Sequence, residues 1–280
     1  MFSCNPDIVK KITIIFFICL CGISGISQNV KKVISLAPSL TENIYLLGAN
    51  DKLVGCTSYC TEAVKDGIQI VGSTVDVNVE KILALQPDVV LTMQLTKSQD
   101  ISTMEKLGIN VVVIPTPKTF DEICQQTIQI GKLIEAESEA DSVITTAKKI
   151  VDEIKVKSAK QKNTRKIFFQ IGANPIFTVL ENTFMDDYIL ITNSKNIAAG
   201  LNKGTMTRES VVAKNPDAII IATMGGFGNE EKKVWEKYSE ISAVKNNMVF
   251  LIDSETSCSP TPHNFVSALK DIDQFLNQKK

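Results

Sequence analysis

The sequence predicts an α/β protein: two similar α/β lobes joined by one long rigid α-helix, with a ligand cleft between the lobes. Three observations carry this expectation. Ala140, Val143, Ile144, Ala147, Ile150, Val151 and Ile154 recur at steps of three and four, while Glu139, Asp141, Lys148, Lys149, Asp152, Glu153, Lys155 and Lys157 fill the other faces. That is an amphipathic helix with one buried stripe. Over residues 139–160 it would span roughly 33 Å at about 1.5 Å per residue. The second observation is a repeat on its two flanks. Glu80, Ala84, Pro87 and Asp88 match Glu209, Ala213, Pro216 and Asp217 at a constant offset of 129 residues. The third is that each copy leads into an apolar run, Val89 to Met93 and Ala218 to Met224. Each unit reads as a short helix stopped by proline and then a buried strand. Two such units about one helix give two lobes. The expected divisions are a signal peptide at 1–27, a first lobe at 28–134, a linking helix at 135–162 and a second lobe at 163–280.

At the start of the chain, Lys10 and Lys11 precede an apolar run from Ile12 to Cys21. Gly25 and Ser27 then stand at −3 and −1 for cleavage before Gln28, the layout of an export signal. The run is short for a membrane span. A lipid anchor on Cys21 is the alternative, although Leu20 is large for the residue before a lipidated cysteine. The expected location is the periplasm. Cleavage leaves Cys56, Cys60, Cys124 and Cys258 of the seven cysteines. Export implies an oxidising compartment where a disulfide can form, and four cysteines allow three full pairings. Cys56 and Cys124 stand in apolar contexts and read as core. Cys60 and Cys258 fall in expected loops and are the better candidates for a bond or a ligand.

Strands are expected at 33–36, 53–56, 69–71, 89–93, 111–114, 166–171, 177–180, 218–222 and 248–252. Helices are expected at 40–48, 78–85, 100–107, 119–134, 139–160, 183–192, 207–214, 230–238 and 261–277. Gly108 suits the C-terminal cap of the helix before the 111–114 strand.

Hydrophobic residues make up 44% and charged residues 22% of the 280-residue chain, as in an ordinary globular protein. A net charge of −1 argues against a nucleic-acid partner held through phosphates. Enzyme motifs are absent. The single histidine, His263, excludes a His-rich zinc site and argues against a catalytic triad. No G-x-S-x-G or P-loop occurs, the Gly225-Gly226-Phe227-Gly228 loop lacks dinucleotide spacing, and Cys56 and Cys60 are spaced too widely for a redox C-x-x-C. No catalytic residue and no catalytic cofactor are expected. Ligands of open α/β sheets bind beyond the carboxyl ends of the strands. That rule points to loops at 35–39, 57–60, 73–78 and 93–98 in the first half, and at 172–177, 204–207, 224–228 and 254–263 in the second.

The segments Val33-Ile34-Ser35-Leu36-Ala37-Pro38-Ser39-Leu40-Thr41-Glu42, Val54 to Cys60, and Asn78-Val79-Glu80 through Pro87-Asp88 resemble the periplasmic iron/vitamin B12-binding domain family. Phe168 to Thr178 and Arg208-Glu209 through Pro216-Asp217 are similar to the family's second lobe. The resemblance runs over roughly residues 30 to 278. It implies a receptor of an ABC importer, a monomer when free, that carries a metal chelate to a membrane permease. Cobalamin, or another corrinoid, is the first expectation; haem or an iron–siderophore is the alternative. Tyr59 and Phe177 match aromatic cleft positions of the family. Val75 and Met93 stand where corrinoid-binding members carry tryptophan, and the one tryptophan, Trp235, lies in a charged helical stretch outside the expected cleft. Ligand contacts are expected from Tyr59, Met93, Phe177, Thr205, Phe227 and Glu255. Haem-binding members use a tyrosine or histidine axial ligand, which Tyr59 or His263 would supply here; otherwise no metal ligand is expected. Siderophore receptors of the family hold anionic chelates with several arginines, and this chain has only Arg165 and Arg208. The glutamates at positions 80 and 209 correspond to those that meet permease arginines. An enzyme or chelatase on the same fold, or an adhesion role, is the competing class, disfavoured by the missing acid–base motifs and by the paired cleft loops.

Overall fold

A computed structural model describes residues 30–278. The first half builds one parallel sheet from Val33–Ser35 (β1), Leu53–Cys56 (β2), Gln69–Ile70 (β3), Val89–Met93 (β4) and Val111–Ile114 (β5), in the order β3-β2-β1-β4-β5. Parallel neighbours need crossovers. These are Pro38–Leu46 (α1), Thr61–Lys65 (α2), Val79–Leu85 (α3) and Ser98–Lys106 (α4), with Phe120–Leu133 (α5) following β5. The strands are apolar on both faces because helices cover both. One face packs Val33, Leu40, Ile44, Leu53 and Leu91 together; the other packs Ile34, Leu36, Ile82, Val90 and Met104.

The 23-residue helix Glu137–Ala159 (α6) leads to the second sheet. Its strands are Arg165–Gly172 (β6), Ile176–Thr178 (β7), Ser194–Asn196 (β8), Thr205–Met206 (β9), Ala218–Ala222 (β10) and Val249–Ile252 (β11). The order is β11-β10-β6-β7-β9, and β8 pairs with the start of β6. Strands β6, β8, β10 and β11 run parallel, whereas β7 and β9 form an antiparallel ribbon. Around it lie Phe184–Ile191 (α7), Arg208–Lys214 (α8), Gly228–Trp235 (α9), Ser242–Lys245 (α10), Ser254–Ser257 (α11) and Pro262–Leu276 (α12).

The stripe on α6 passes from one core to the other. Ala140 belongs to the first lobe's core, and Ile144, Ala147, Val151 and Ile154 belong to the second's. Helix α5 spans the two as well: Ile130 packs in the first core and Phe120, Ile123 and Cys124 pack in the second. The sequence pattern picked out α6 as the sole connector; two adjacent helices share the role. A further tie comes from the Phe120 backbone N–H, which donates to Asp187 Oδ2 at 2.7 Å.

The sequence repeat is a repeat of hydrogen bonds. Asn78 caps α3 by accepting from Lys81 N at 2.8 Å, and Thr207 caps α8 by accepting from Ser210 N at 3.2 Å. Gln86 and Asn215 end those helices in the left-handed region, at φ 50° and 44°. Asp88 Oδ2 accepts from Lys31 N and Lys32 N, and Asp217 Oδ2 accepts from Lys166 N, all at 2.8 Å. The two lysines return the contact: Lys32 Nζ donates to Leu85 O and Lys166 Nζ to Lys214 O. The Pro-Asp pair therefore stops a helix and pins the start of the neighbouring strand.

Strands β8 and β9 and helices α2, α10 and α11 were not expected from the sequence. Each is five residues or fewer, too short for periodicity to register.

Candidate ligand-binding site

Loops at the carboxyl ends of the first sheet meet the segment that follows β11. Between them lie two adjoining cavities of about 820 and 790 Å³. Pro38, Glu42, Tyr59, Thr61 and Glu255 line both. The first chamber continues to Tyr45, Lys65, Asp66, Asp253 and His263. The second continues to Met93, Leu95, Thr116, Phe184 and Pro260. Each is near the upper end of the ~300–1,000 Å³ range of small-molecule sites.

The parallel sheet explains this placement. Strands β1, β2 and β4 end together, so Pro38, Tyr59 and Met93 converge although they are distant in sequence. Tyr59 is 67% exposed, an uncommon state for so large a ring. Ser39 Oγ lies 3.7 Å from Met93 Sδ. Glu42, half-buried on α1, joins the lobes: Ser259 Oγ donates to its Oε2 at 2.6 Å and Asn264 Nδ2 donates to the same oxygen at 2.8 Å. Burial pushes the Glu42 carboxyl above its ordinary range, opposed by those two bonds and reinforced by Cys60 and Glu255.

The sequence-chosen residues divide into groups. Tyr59, Met93 and Glu255 line the cavities, and exposed His263 lines the first chamber with Tyr59. Phe177 and Thr205 do not line either chamber; they pair across the β7–β9 ribbon, and both are exposed. Gly172 lets the Phe177 ring lie against the backbone, since a Cβ at 172 would approach the ring to 2.9 Å. Phe227, in the loop between β10 and α9, is half-buried against the core around Phe168 and Trp235 and does not line either chamber. Trp235 is fully buried, and its Nε1 donates to Gln170 Oε1 at 2.7 Å. Of the second-lobe loops proposed from strand ends, the segment after β11 supplies the lining; 172–177, 204–207 and 224–228 do not.

The Cys60 and Cys258 thiols are free and do not bond each other. Cys60 is not in an open loop: it is 3% exposed, immediately before α2. Its Sγ accepts from Thr41 Oγ1 at 3.1 Å and lies 3.2 Å from Thr57 Oγ1. The neighbouring Cys56 thiol and then these hydroxyls pull the Cys60 thiol below its ordinary range, against its burial. Cys56 and Cys124 are core residues, as their sequence contexts indicated.

Neither arginine faces the cavities. Arg208 Nη2 bonds both carboxylate oxygens of Glu231 at 2.7 Å, with its guanidinium 4.8 Å from the centre of the Trp235 ring. Arg165 Nη1 donates to Gln161 at 2.9 Å. Away from the cleft, Glu80 and Glu209 occupy the same place in the first turns of α3 and α8, both exposed. Hydrogen bonds from its own backbone N–H and from Thr207 hold the Glu209 carboxyl below its ordinary range.

Glu42, Ser259 and Asn264 were missed as site residues. Glu42 was visible in the Pro-Ser-Leu-Thr-Glu motif after β1, but its partners are 217 and 222 positions away and no local pattern links them.

A model of the periplasmic binding protein family matches residues 33–256. The chain belongs to that family. An ABC transporter substrate-binding lipoprotein of Bacillus subtilis, YvrC, is 33% identical over 240 residues, 82% of this chain and 75% of that protein. A vitamin B12-binding protein of Vibrio parahaemolyticus is 23% identical over 261 residues, covering 91% and 92%. A solved structure described as a possible iron-binding periplasmic solute-binding protein, from Staphylococcus epidermidis, has a TM-score of 0.77 and 26% identity, covering 90% of this chain and all of that one. This family member is thus a substrate-binding protein of the ABC transporter class, and transport rather than catalysis is its work. Family membership brings a partner permease with it.

Proposed function

We propose that the protein captures a corrinoid in the inter-lobe cleft and delivers it to a membrane permease. The observation that carries this reading is the cleft lining: two large adjoining chambers floored by an exposed tyrosine and a methionine, with hydroxyls and carboxylates around them and no guanidinium. A corrinoid presents a broad apolar face and a rim of amides, which suits such a lining. In this reading residues 28–134 and 163–280 close on the ligand about the 135–162 linker. Tyr59, Met93 and Glu255 contact it directly, while Phe177 and Thr205 reach it from the β7–β9 ribbon. Calorimetry with cyanocobalamin and haemin tests the assignment. Binding of cyanocobalamin supports it; tight haemin binding without cobalamin binding overturns it.

Haem is the second reading, favoured by one specific observation: Tyr59 and His263 line the same chamber and both are exposed, so either could ligate iron. A haem Soret band that shifts in Tyr59→Phe but not in His263→Ala would assign Tyr59 as the ligand.

The reading includes export to the periplasm with cleavage after Ser27, residues 1–27 lying outside the described residues. YvrC is named a lipoprotein, so Cys21 is the alternative processing point here. Among the described residues no helix is long and apolar enough to cross a membrane.

A further inference from the structure

We propose that Glu42 is a specificity-determining residue of the cleft, selecting chelates whose rim offers amide N–H donors over chelates whose rim carries carboxylates. This rests on the corrinoid reading above. Glu42 lines both chambers and so meets a ligand lying across them. Ser259 and Asn264 both donate to Oε2, and no donor among the described residues bonds Oε1. A half-buried carboxylate with an oxygen to spare accepts an amide N–H well. The same oxygen repels a second carboxylate, and burial strengthens that repulsion.

Other charges around the cleft do not cancel this preference. Glu255 lines both chambers with Glu42, and Asp253, Glu62 and Asp66 line the first. Lys65 is the one lysine among the lining residues, and both arginines are committed elsewhere, to Glu231 and Gln161. An anionic rim therefore finds a carboxylate where an arginine would be needed.

The test compares cyanocobalamin with its monocarboxylate derivatives, in which one peripheral amide is hydrolysed, by competitive titration at neutral pH. Glu42→Gln is the informative variant, because its amide oxygen can still accept from Ser259 and Asn264 while the charge is gone and the ligand-facing oxygen is replaced by an NH2 donor. The wild-type protein is expected to prefer the amide over at least one monocarboxylate by about tenfold. Glu42→Gln is expected to bring that ratio close to one, because cyanocobalamin loses its amide acceptor while the monocarboxylate loses its repulsion and meets an N–H donor. A wild-type ratio near one for every derivative overturns the inference and leaves the corrinoid reading standing. So does a ratio that survives in Glu42→Gln, and a ratio lost only in Glu255→Gln moves the role to that residue. A purely structural Glu42 would lower both affinities together and leave their ratio unchanged. Failure of the wild-type protein to bind cyanocobalamin at all overturns the corrinoid reading first, and this inference with it.

Discussion

Glu42 and Asn264 meet at 2.8 Å across the cleft, from helices α1 and α12 that belong to different lobes and are separated by 222 positions of chain. The contact makes one half-buried carboxylate both a wall of the ligand site and a tie between lobes. It sets a pH dependence. The folded-state pKa of Glu42 is raised by burial, with Glu255 and the Cys60 thiol adding to it from other elements. Above the raised value the carboxylate is charged in both folded and unfolded chains, and the folded state bears the desolvation cost. As pH falls through that value the folded protein takes up a proton before the unfolded chain does, so the cost is relieved. Glu42→Gln should therefore melt higher than wild type at neutral pH, with the gain shrinking as pH is lowered toward the ordinary glutamate range. Thermal melts across this window check the sign; a gain that grows toward acid would refute the argument.

Tyr59→Ala should weaken corrinoid binding by about 1–3 kcal/mol, the range for a central aromatic contact. Phe177→Ala should cost less, because its ring does not line either chamber. Isothermal titration of both variants ranks them, and equal losses would show that the lobes close far enough to bring the β7–β9 ribbon onto the ligand.

Glu80 and Glu209 stand at equivalent, exposed places on α3 and α8. The helix dipole favours a carboxylate there, which accounts for each one singly but not for the register between lobes. The Glu80→Ala, Glu209→Ala double variant should keep its ligand affinity while docking to the permease falls and the on-rate loses salt dependence. Stopped-flow docking with permease in liposomes measures both. Loss of ligand affinity in this variant would remove the docking role.

Trp235→Phe should destabilise the second lobe by about 1–3 kcal/mol, because it leaves the buried Gln170 oxygen without its donor. It should also disturb the Arg208–Glu231 pair stacked beside it. Chemical denaturation measures the loss, and corrinoid binding at low temperature should be unaffected, since Trp235 lies in the core rather than in the cleft.

Periodicity, capping residues and the 129-residue repeat were sufficient, from sequence alone, for the α/β class, the two-lobed layout, the long helix α6 and the longer strands. These features are local: a 3.6-residue stripe, a Pro-Asp stop and an apolar run each carry their own physical cause within a dozen residues. The rule that ligands sit beyond strand ends pointed to Tyr59, Met93 and the segment after β11, which line the two cavities, because parallel strands bring their ends together whatever their spacing in the chain. Tertiary structure alone decided that α5 bridges the lobes with α6, that Phe227 packs inward, and that Cys60 is buried against hydroxyls instead of lying in a loop. It also decided that Glu42 lines both chambers and meets Ser259 and Asn264 across the cleft. Those outcomes depend on contacts between residues far apart in sequence, where burial and charge are set by neighbours that no local pattern names.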